Sequence, residues 1–315
     1  MSDKIKQIVQ VAELAKALYL LVVEYEEADG GNGVGHLYRT DGLRATVFEH
    51  VLSTNDTLRA MWASPSGAVW LASQDGNVWT TAKVRWSKPR NPDLDFLSFD
   101  PALKWTVTTL PNLRIEGYPP ALGPIWGTDD ANVFAASGEH IYHWNGSAWA
   151  QEYTAAGTVR AFSGTGPQDV YAVGGESTLL HYDGKAWRRL QNPGDTTGDE
   201  LFTGACHAAD GTVYICSQDG RLLHGSASGL TVLAQNDDIQ LRGVALLNDR
   251  VLLAAGADGV AELQGSAVNG IRSTFHAFSI TPGNKRVFFM NSSSETCYVE
   301  YDPSEETAPW WLVTF

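Results

Sequence analysis

The sequence predicts an all-β fold built from seven copies of one four-stranded unit. The two clearest copies read NVFAASGEHIYHWNGSAW at residues 132–149 and DVYAVGGESTLLHYDGKAW at residues 169–187. Each contains short runs rich in Val, Tyr and Trp, separated by turns that contain Gly, Asp or Asn. A repeat of about 40 residues with four strands is typical of a β-propeller, in which neighbouring sheets bury each other's apolar faces. We therefore predict a seven-bladed β-propeller with four antiparallel strands per blade.

The second strand of each blade sets the spacing of the copies. The first copy is atypical and centred on Val22, and the later second strands start at Val69, Val133, Val170, Val213, Val251 and Val287. The widest spacing separates Val69 from Val133, which indicates a surface insertion at residues 84–103, between the third and fourth strands of blade two. The copies account for essentially the whole chain, so we predict a single domain over residues 1–315.

The first strand can be interpreted in two ways. Ile5, Ile8, Val9 and Ala12 follow helical spacing, which would suit an amphipathic helix at residues 4–18. The segment IVQV also suits the innermost strand of blade one. We favour the strand, because the chain would then start with an inner strand and end with an outer one, WWLVTF, and both terminal blades would be complete.

Charge and composition disfavour several classes of partner. The chain has 36 acidic residues against 22 Lys and Arg residues, a formal net charge of −14. This balance disfavours nucleic acid, whose phosphates require basic residues, and it disfavours an anionic membrane surface. No apolar run approaches the roughly 20 residues that cross a bilayer. We therefore expect a basic protein partner, which this charge would attract, and a monomer when the protein is free.

The N-terminal segment and the cysteines indicate the compartment. The N-terminal sequence MSDKIKQIVQVAELAK is interrupted by charges and does not have the form of a secretion signal. The cysteines are odd in number: Cys206, Cys216 and Cys297. Cys206 and Cys216 flank a predicted hairpin turn at Asp210 and are expected on opposite faces of the sheet, which disfavours a bond between them. We expect reduced, buried thiols and a cytoplasmic location.

Three histidines occupy one repeat position. His143, His181 and His224 each lie on the third strand of a different blade. Equivalent positions in different blades are too far apart for bonds of about 2 Å to one ion. We predict structural histidines, with no metal and no cofactor.

The repeat resembles a known group of propeller repeats. Bacterial repeats of the form W-G-(x)n-V-Y-A-V-G-x-x-G-x-(I/L)-x-H-Y-D-G-x-x-W are similar to IWGTDDANVFAAS…HIYHWNGSAW and DVYAVGGESTLLHYDGKAW in this chain. SQDGNVW at 73–79 and SQDGRLL at 217–223 are similar to the Asp box of sialidases, but they lack one residue before the glycine. The resemblance implies the propeller fold and no particular function, because propellers carry unrelated activities.

The sequence contains no recognisable catalytic motif. G-x-S-x-G, H-E-x-x-H, C-x-x-C and P-loop spacings do not occur. GGNGVG at 30–35 lies between two predicted strands, whereas a dinucleotide loop must lead into a helix. We therefore predict that the protein is not an enzyme. The alternative is a lactonase- or glycosidase-like site in the axial channel, assembled from residues remote in sequence.

Three arginines repeat at the start of the innermost strand. Arg59, Arg160 and Arg242 each follow an apolar residue there, and in a propeller this strand begins beside the axial channel. One interpretation is that each arginine connects blades by binding backbone carbonyls or acids. The other is that they hold an anion or an acidic side chain at the mouth of the channel.

Acidic residues concentrate in two classes of loop. If the strands are named a to d from the axis outward, the d–a and b–c loops share one side of the propeller. These loops carry Glu27, Asp29, Asp56, Asp75, Glu116, Glu139, Glu176, Asp195, Asp199, Glu200, Asp219, Asp237, Asp238, Asp258 and Glu295, against only Arg114, Arg221 and Arg272. Calcium is another interpretation of the oxygen-rich segment 192–200, but that segment lacks the D-x-D-x-D spacing of an EF-hand.

These observations favour a non-catalytic, protein-binding propeller. The most specific form of this hypothesis is an immunity or inhibitor protein that neutralises a basic partner, such as a nuclease-type toxin, through an acidic face. An assembly factor is a further alternative. The predicted partner-binding residues are Asp195, Asp199, Glu200, Asp237, Asp238, Arg59, Arg160 and Arg242.

Overall fold

The fold is all-β. The computed structural model describes residues 4–14, 17–26, 33–41, 44–90, 96–111, 122–194, 197–291 and 296–315. These residues form thirty strands and no helix, and the strands form seven antiparallel sheets arranged as a β-propeller. The chain divides into unit 1, Met1–Gln151 with Val313–Phe315, and unit 2, Glu152–Leu312. The predicted fold class is confirmed.

Unit 1 contains blades 1 to 3. Blade 1 consists of β1 (Lys4–Leu14), β2 (Ala17–Glu26), β3 (Gly33–Thr40) and β4 (Glu49–Thr54). Blade 2 consists of β5 (Leu58–Ala63), β6 (Val69–Ser73), β7 (Asn77–Thr80) and, after the short strands β8 (Pro89–Arg90) and β9 (Leu97–Ser98), β10 (Thr106–Thr109). Blade 3 consists of β11 (Ile125–Asp129), β12 (Asn132–Ser137), β13 (His140–Trp144) and β14 (Trp149–Thr154).

The first segment is a strand, as favoured from the sequence. β1 pairs with β2 from Lys4 opposite Glu26 to Leu14 opposite Ala17. Ile8 and Val11 of β1 are buried. Helical spacing of a few apolar residues does not decide the structure here, because the neighbouring strand supplies the backbone hydrogen bonds.

The described residues 84–90 and 96–103 lie between the third and fourth strands of blade 2, and part of this insertion adds to the sheets. β8 pairs with β10 at the edge of blade 2, and β9 pairs with β4 at the edge of blade 1. Trp86 packs edge-on against Trp144 at a ring-centroid distance of 4.9 Å and against Trp70 at 5.9 Å. The insertion thus covers two sheet edges that would otherwise expose unpaired backbone groups.

Unit 2 contains blades 4 to 7, each with four strands in chain order. Blades 4 and 5 consist of β15 (Val159–Gly166), β16 (Asp169–Gly174), β17 (Leu179–Tyr182), β18 (Trp187–Arg189), β19 (Phe202–His207), β20 (Val213–Ser217), β21 (Arg221–Ser226) and β22 (Gly229–Gln235). Blades 6 and 7 consist of β23 (Gly243–Leu247), β24 (Arg250–Ala254), β25 (Val260–Gln264), β26 (Ala267–Arg272), β27 (Ala277–Pro282), β28 (Val287–Asn291), β29 (Cys297–Tyr301) and β30 (Trp310–Thr314).

The cores of unit 2 lie between neighbouring blades. Tyr171 of blade 4 packs with Phe202 and Ile215 of blade 5, and all three are buried. Each large apolar side chain buried in this way stabilises the fold by about 1.5–3 kcal/mol. The innermost strands approach closely, because a Cβ atom on Gly204 would lie 2.9 Å from the Cα atom of Gly243 in the next blade. Side chains on facing sheets therefore make the packing of each blade depend on the next.

The cysteines are free thiols, as expected, but their placement differs from the expectation. Cys206 lies opposite Tyr214, and Cys216 lies opposite Gly204. Cys206 and Cys216 therefore project from the same face of the hairpin and enter the same apolar cluster. The prediction of opposite faces was wrong, because it ignored the register that the turn sets between the two strands.

Candidate functional site

The b–c and d–a loops of unit 2 meet on one side of its blades. The amide of Ser177, in the b–c turn of blade 4, donates to the carbonyl of Glu200, in the loop that leads to blade 5 (2.8 Å). The amide of Gly256, in the b–c turn of blade 6, donates in the same way to Ala277 of blade 7 (2.8 Å), whereas the amide of Gln218 in blade 5 donates to Leu201 at the start of its own blade (2.8 Å). Backbone bonds thus hold the b–c turns of blades 4 and 6 against the start of the next blade, which is the pairing of loops that the strand order predicts.

The turn between β20 and β21 lies between two acidic loops, one containing Asp199 and the other Asp237, and is hydrogen-bonded to both. On one side, the Arg221 guanidinium reaches back to the carbonyl of Pro193. On the other, the amide of Asn236 donates to the Gly220 carbonyl (3.1 Å). Both loops therefore flank one turn, which adds the carboxylate of Asp219.

Most of the described acidic side chains on this side of unit 2 face solvent. The exposed ones are Glu176, Asp199, Asp219, Asp237, Asp238 and Asp258. Other acidic or basic residues named from the sequence lie outside the described residues: Glu27, Asp29, Glu116, Asp195, Glu295 and Arg114. Of the predicted partner-binding carboxylates, the structure thus places Asp199, Asp237 and Asp238 at the surface.

Glu200 has a different environment from its neighbours. Its residue surface is only 5% exposed. Its Oε2 atom accepts a hydrogen bond from Arg221 Nη1 (2.5 Å) and another from Asn192 Nδ2 (2.7 Å). Arg221 therefore neutralises this carboxylate inside the protein, and Glu200 does not belong to the exposed acidic surface. The sequence placed it in an acidic loop and gave no sign of the pairing, because Arg221 comes from another turn.

Two further acidic residues on this side, Asp56 and Asp75 of unit 1, are also withdrawn from solvent, Asp56 fully and Asp75 in part. Asp56 is buried, and its Oδ2 accepts from Trp79 Nε1 (2.7 Å) and Asn77 Nδ2 (2.8 Å). Asp75 lines a cleft of about 450 Å³ together with Lys4, Glu24 and other residues. Burial and the nearby Asp56 raise the pKa of the Asp75 carboxyl.

The three repeated arginines have neutral partners or none among the described residues. Arg59, exposed on β5, donates to the Gln74 amide oxygen. Arg242, directly before β23, donates to the amide oxygens of Gln240 (2.7 Å) and Gln218 (3.4 Å). The side chain of Arg160, exposed on β15, has no hydrogen bond or ion pair within the described part of the chain.

The repeated histidines are hydrogen-bonded within their own blades. His143 Nε2 lies 2.5 Å from Asn132 Oδ1, and His181 Nε2 lies 2.9 Å from Asp169 Oδ1. His224 Nε2 lies 2.9 Å from Thr212 Oγ1. Each ring thus contacts a polar residue at the start of the second strand, as expected of structural histidines. Among the described residues, no group of three or more His, Cys, Asp and Glu side chains could hold a metal ion.

Sequence reasoning missed one polar cluster, between blades 4 and 5. Ser163 Oγ lies 2.8 Å from His207 Nδ1, and His207 Nε2 lies 3.6 Å from Asp169 Oδ2. These residue types also form the triads of hydrolases. Here, however, Ser163 is 9% exposed, so it is not presented to a substrate. The signal was absent from the repeat pattern, because His207 belongs to the next blade.

Comparison with known proteins finds propeller structures of similar fold and a relative that matches part of the chain. No family model matches the chain. It is 36% identical over 106 residues to the immune protein Tsi7 of Pseudomonas aeruginosa, and the match covers 33% of each chain. The chain thus matches about a third of that relative's length.

In the described segments, no helix is long and apolar enough to cross a membrane.

The solved structures most useful for comparison are propellers of different kinds. The WD40 propeller domain of Doa1 has a TM-score of 0.60 at 12% identity, covering 92% of this chain and 93% of that one. Virginiamycin B lyase from Staphylococcus aureus has a TM-score of 0.63 at 9% identity, covering 92% of each chain. YCF48 bound to a D1 peptide has a TM-score of 0.59 at 13% identity, covering 92% and 91%. At these identities the likeness shows the fold alone.

Proposed function

We propose that the protein is an immunity protein, a non-catalytic propeller that binds and neutralises a basic protein toxin in the cytoplasm. The observation that carries the proposal is the 36% identity over 106 residues to the immune protein Tsi7. The net charge of −14 supports the basic character of the toxin, and a nuclease-type toxin would have such a surface because it must bind phosphates.

The proposed contact surface lies on the b–c and d–a side of unit 2. It comprises the exposed residues Glu176, Asp199, Asp219, Asp237, Asp238 and Asp258. Backbone bonds hold the turn at Gly220 to the loop at Asn236, so these charges sit on an ordered scaffold. Exposed carboxylates of one sign would steer a basic partner to the surface and raise the association rate.

The experiment first identifies the partner and then measures how fast it binds. The tagged protein is used to isolate its partner from native lysate, and mass spectrometry identifies the bound protein. Association is then measured by surface plasmon resonance for the triple variant Asp199→Asn, Asp237→Asn, Asp238→Asn. We expect the association rate constant to fall about tenfold at low salt, and less at high salt where charges are screened.

A matched control removes three charges from the other side of unit 2. Asp249, Glu305 and Glu306 are exposed in the a–b and c–d connections. Replacing them by Asn and Gln should slow association much less. Equal effects of the two triple variants would refute the proposed surface, and a partner that is no toxin would refute the immunity function.

A further inference from the structure

Three of the four inner strands of unit 2 have one residue outside the regular pairing, and in the fourth, β23, an arginine directly precedes the strand. In β15 the pairing with β16 skips from Val159 to Ala161, which leaves Arg160 in a β-bulge. The same irregularity leaves Thr203 in β19 and Phe278 in β27 outside the register. Arg242 precedes β23, and its amide donates to Ala254 (2.8 Å). A β-bulge turns the side chain of its extra residue away from the regular face of the sheet. The Arg160 side chain is therefore not needed for packing within the blade and can serve binding.

Arg160 and Arg242 differ in their partners from two arginines of unit 2 that form ion pairs. Arg221 pairs with Glu200 at 2.5 Å, and Arg250 pairs with Glu262 at 2.5 Å. Arg242 instead donates to two glutamine oxygens, and Arg160 has no partner among the described residues. A glutamine oxygen orients a guanidinium without cancelling its charge. Because a guanidinium carries five N–H donors, Arg242 retains donors for a ligand.

The surroundings select the kind of ligand. Gln218 contacts Arg242 and is directly followed in the same turn by the exposed Asp219. Asp199, Asp237 and Asp238 are exposed in the flanking loops. A nucleic acid, with a negative charge on every phosphate, would be repelled by these carboxylates. A protein segment can instead offer a carboxylate to the arginines and basic side chains to the aspartates around them.

We infer that Arg160 and Arg242 bind a carboxylate-bearing segment of the partner, flanked in that partner by basic residues. The inference rests on the proposed function, since it assumes that the bound macromolecule is a protein. Arginine suits this role because its planar donors can bind both oxygens of a carboxylate. Arg59 repeats the arrangement in unit 1, where its partner is again a glutamine, Gln74.

The test uses a simple probe and no toxin, so its outcome is separate from that of the proposed function. An N-acetylated, C-amidated peptide of sequence Lys-Asp-Asp-Lys, which offers carboxylates between basic residues, is titrated at low salt into the full chain labelled with ¹⁵N. The side-chain Nε–H signals of Arg160 and Arg242 are assigned with the variants Arg160→Gln and Arg242→Gln. We expect both signals to shift and saturate, while the signal of Arg189, exposed on β18, stays unchanged.

Variants and a second probe give the deciding outcomes. Arg160→Gln with Arg242→Gln should weaken the peptide at least about tenfold, as expected for lost charge-assisted hydrogen bonds, whereas Arg189→Gln should not. Lysine at both positions keeps the charge and should weaken the peptide less. Unchanged thermal unfolding of the variants shows that the fold is intact. The inference is overturned if the peptide does not bind, if Arg189 responds equally, or if inorganic phosphate binds more tightly than the peptide.

Discussion

The buried ion pair between Glu200 and Arg221 provides the sharpest test of the structure. The Glu200 and Arg221 side chains are 6% and 14% exposed. Breaking such a pair by removing one partner costs about 3–5 kcal/mol, because a charge stays buried without compensation. For Arg221→Met we expect about 3 kcal/mol, the lower end of that range, since Asn192 still donates to the carboxylate. This loss is a large part of the roughly 5–15 kcal/mol that stabilises most domains.

A double-mutant cycle separates the ion pair from other effects of the substitution. Adding Glu200→Gln to Arg221→Met removes the uncompensated charge while keeping the shape of the side chain. The double variant should therefore recover about 1.5 kcal/mol or more relative to Arg221→Met. Urea unfolding followed by tryptophan fluorescence measures each free energy, and the dependence on denaturant should stay constant across the set.

The control is Arg189→Met, at an exposed position of β18, which should change stability by no more than about 0.5 kcal/mol. Strictly additive effects in the cycle would show that Glu200 and Arg221 do not interact. A stability of Arg221→Met within about 0.5 kcal/mol of the unmodified protein, the range of surface changes, would contradict the burial of the pair.

Four further predictions address single sites. Burial lowers the pKa of His207 in the folded protein, although the nearby Asp169 acts in the opposite direction. Below about pH 6.5 the unfolded chain therefore binds more protons at this residue than the folded protein does. Stability should therefore fall as the pH is lowered through that value, and His207→Gln should flatten the pH dependence of the unfolding midpoint; an unchanged slope would count against it. Burial raises the pKa of the Cys216 thiol to about 12, so a thiol reagent should modify it slowly in the folded protein and quickly in denaturant. Gly220 has a φ of 78°, and a Cβ atom there would clash with the Asn236 carbonyl. Gly220→Ala should thus lower the thermal midpoint, whereas Gly211→Ala, which has a similar φ of 83° but no atom within 4 Å, should lower it less. Under the proposed immunity function, Ser163→Ala should leave toxin neutralisation intact, and loss of neutralisation in a stably folded variant would favour the enzymatic alternative.

The repeat pattern alone predicts the blades and their order. The spacing of Val133, Val170 and Val213 predicted successive second strands, and these residues lie in β12, β16 and β20. Each prediction needed only local information, because strand alternation and turn residues act over a few positions.

The tertiary structure decided which charged residues can meet a partner. Asp199 and Glu200 are adjacent in sequence and share a predicted loop, yet Asp199 is exposed and Glu200 is buried against Arg221. The Ser163 and His207 contact likewise joins two blades. The sequence determined the elements and their order, because these depend on neighbours along the chain. Burial and pairing of charges depend on residues from other blades, which only the folded structure brings together.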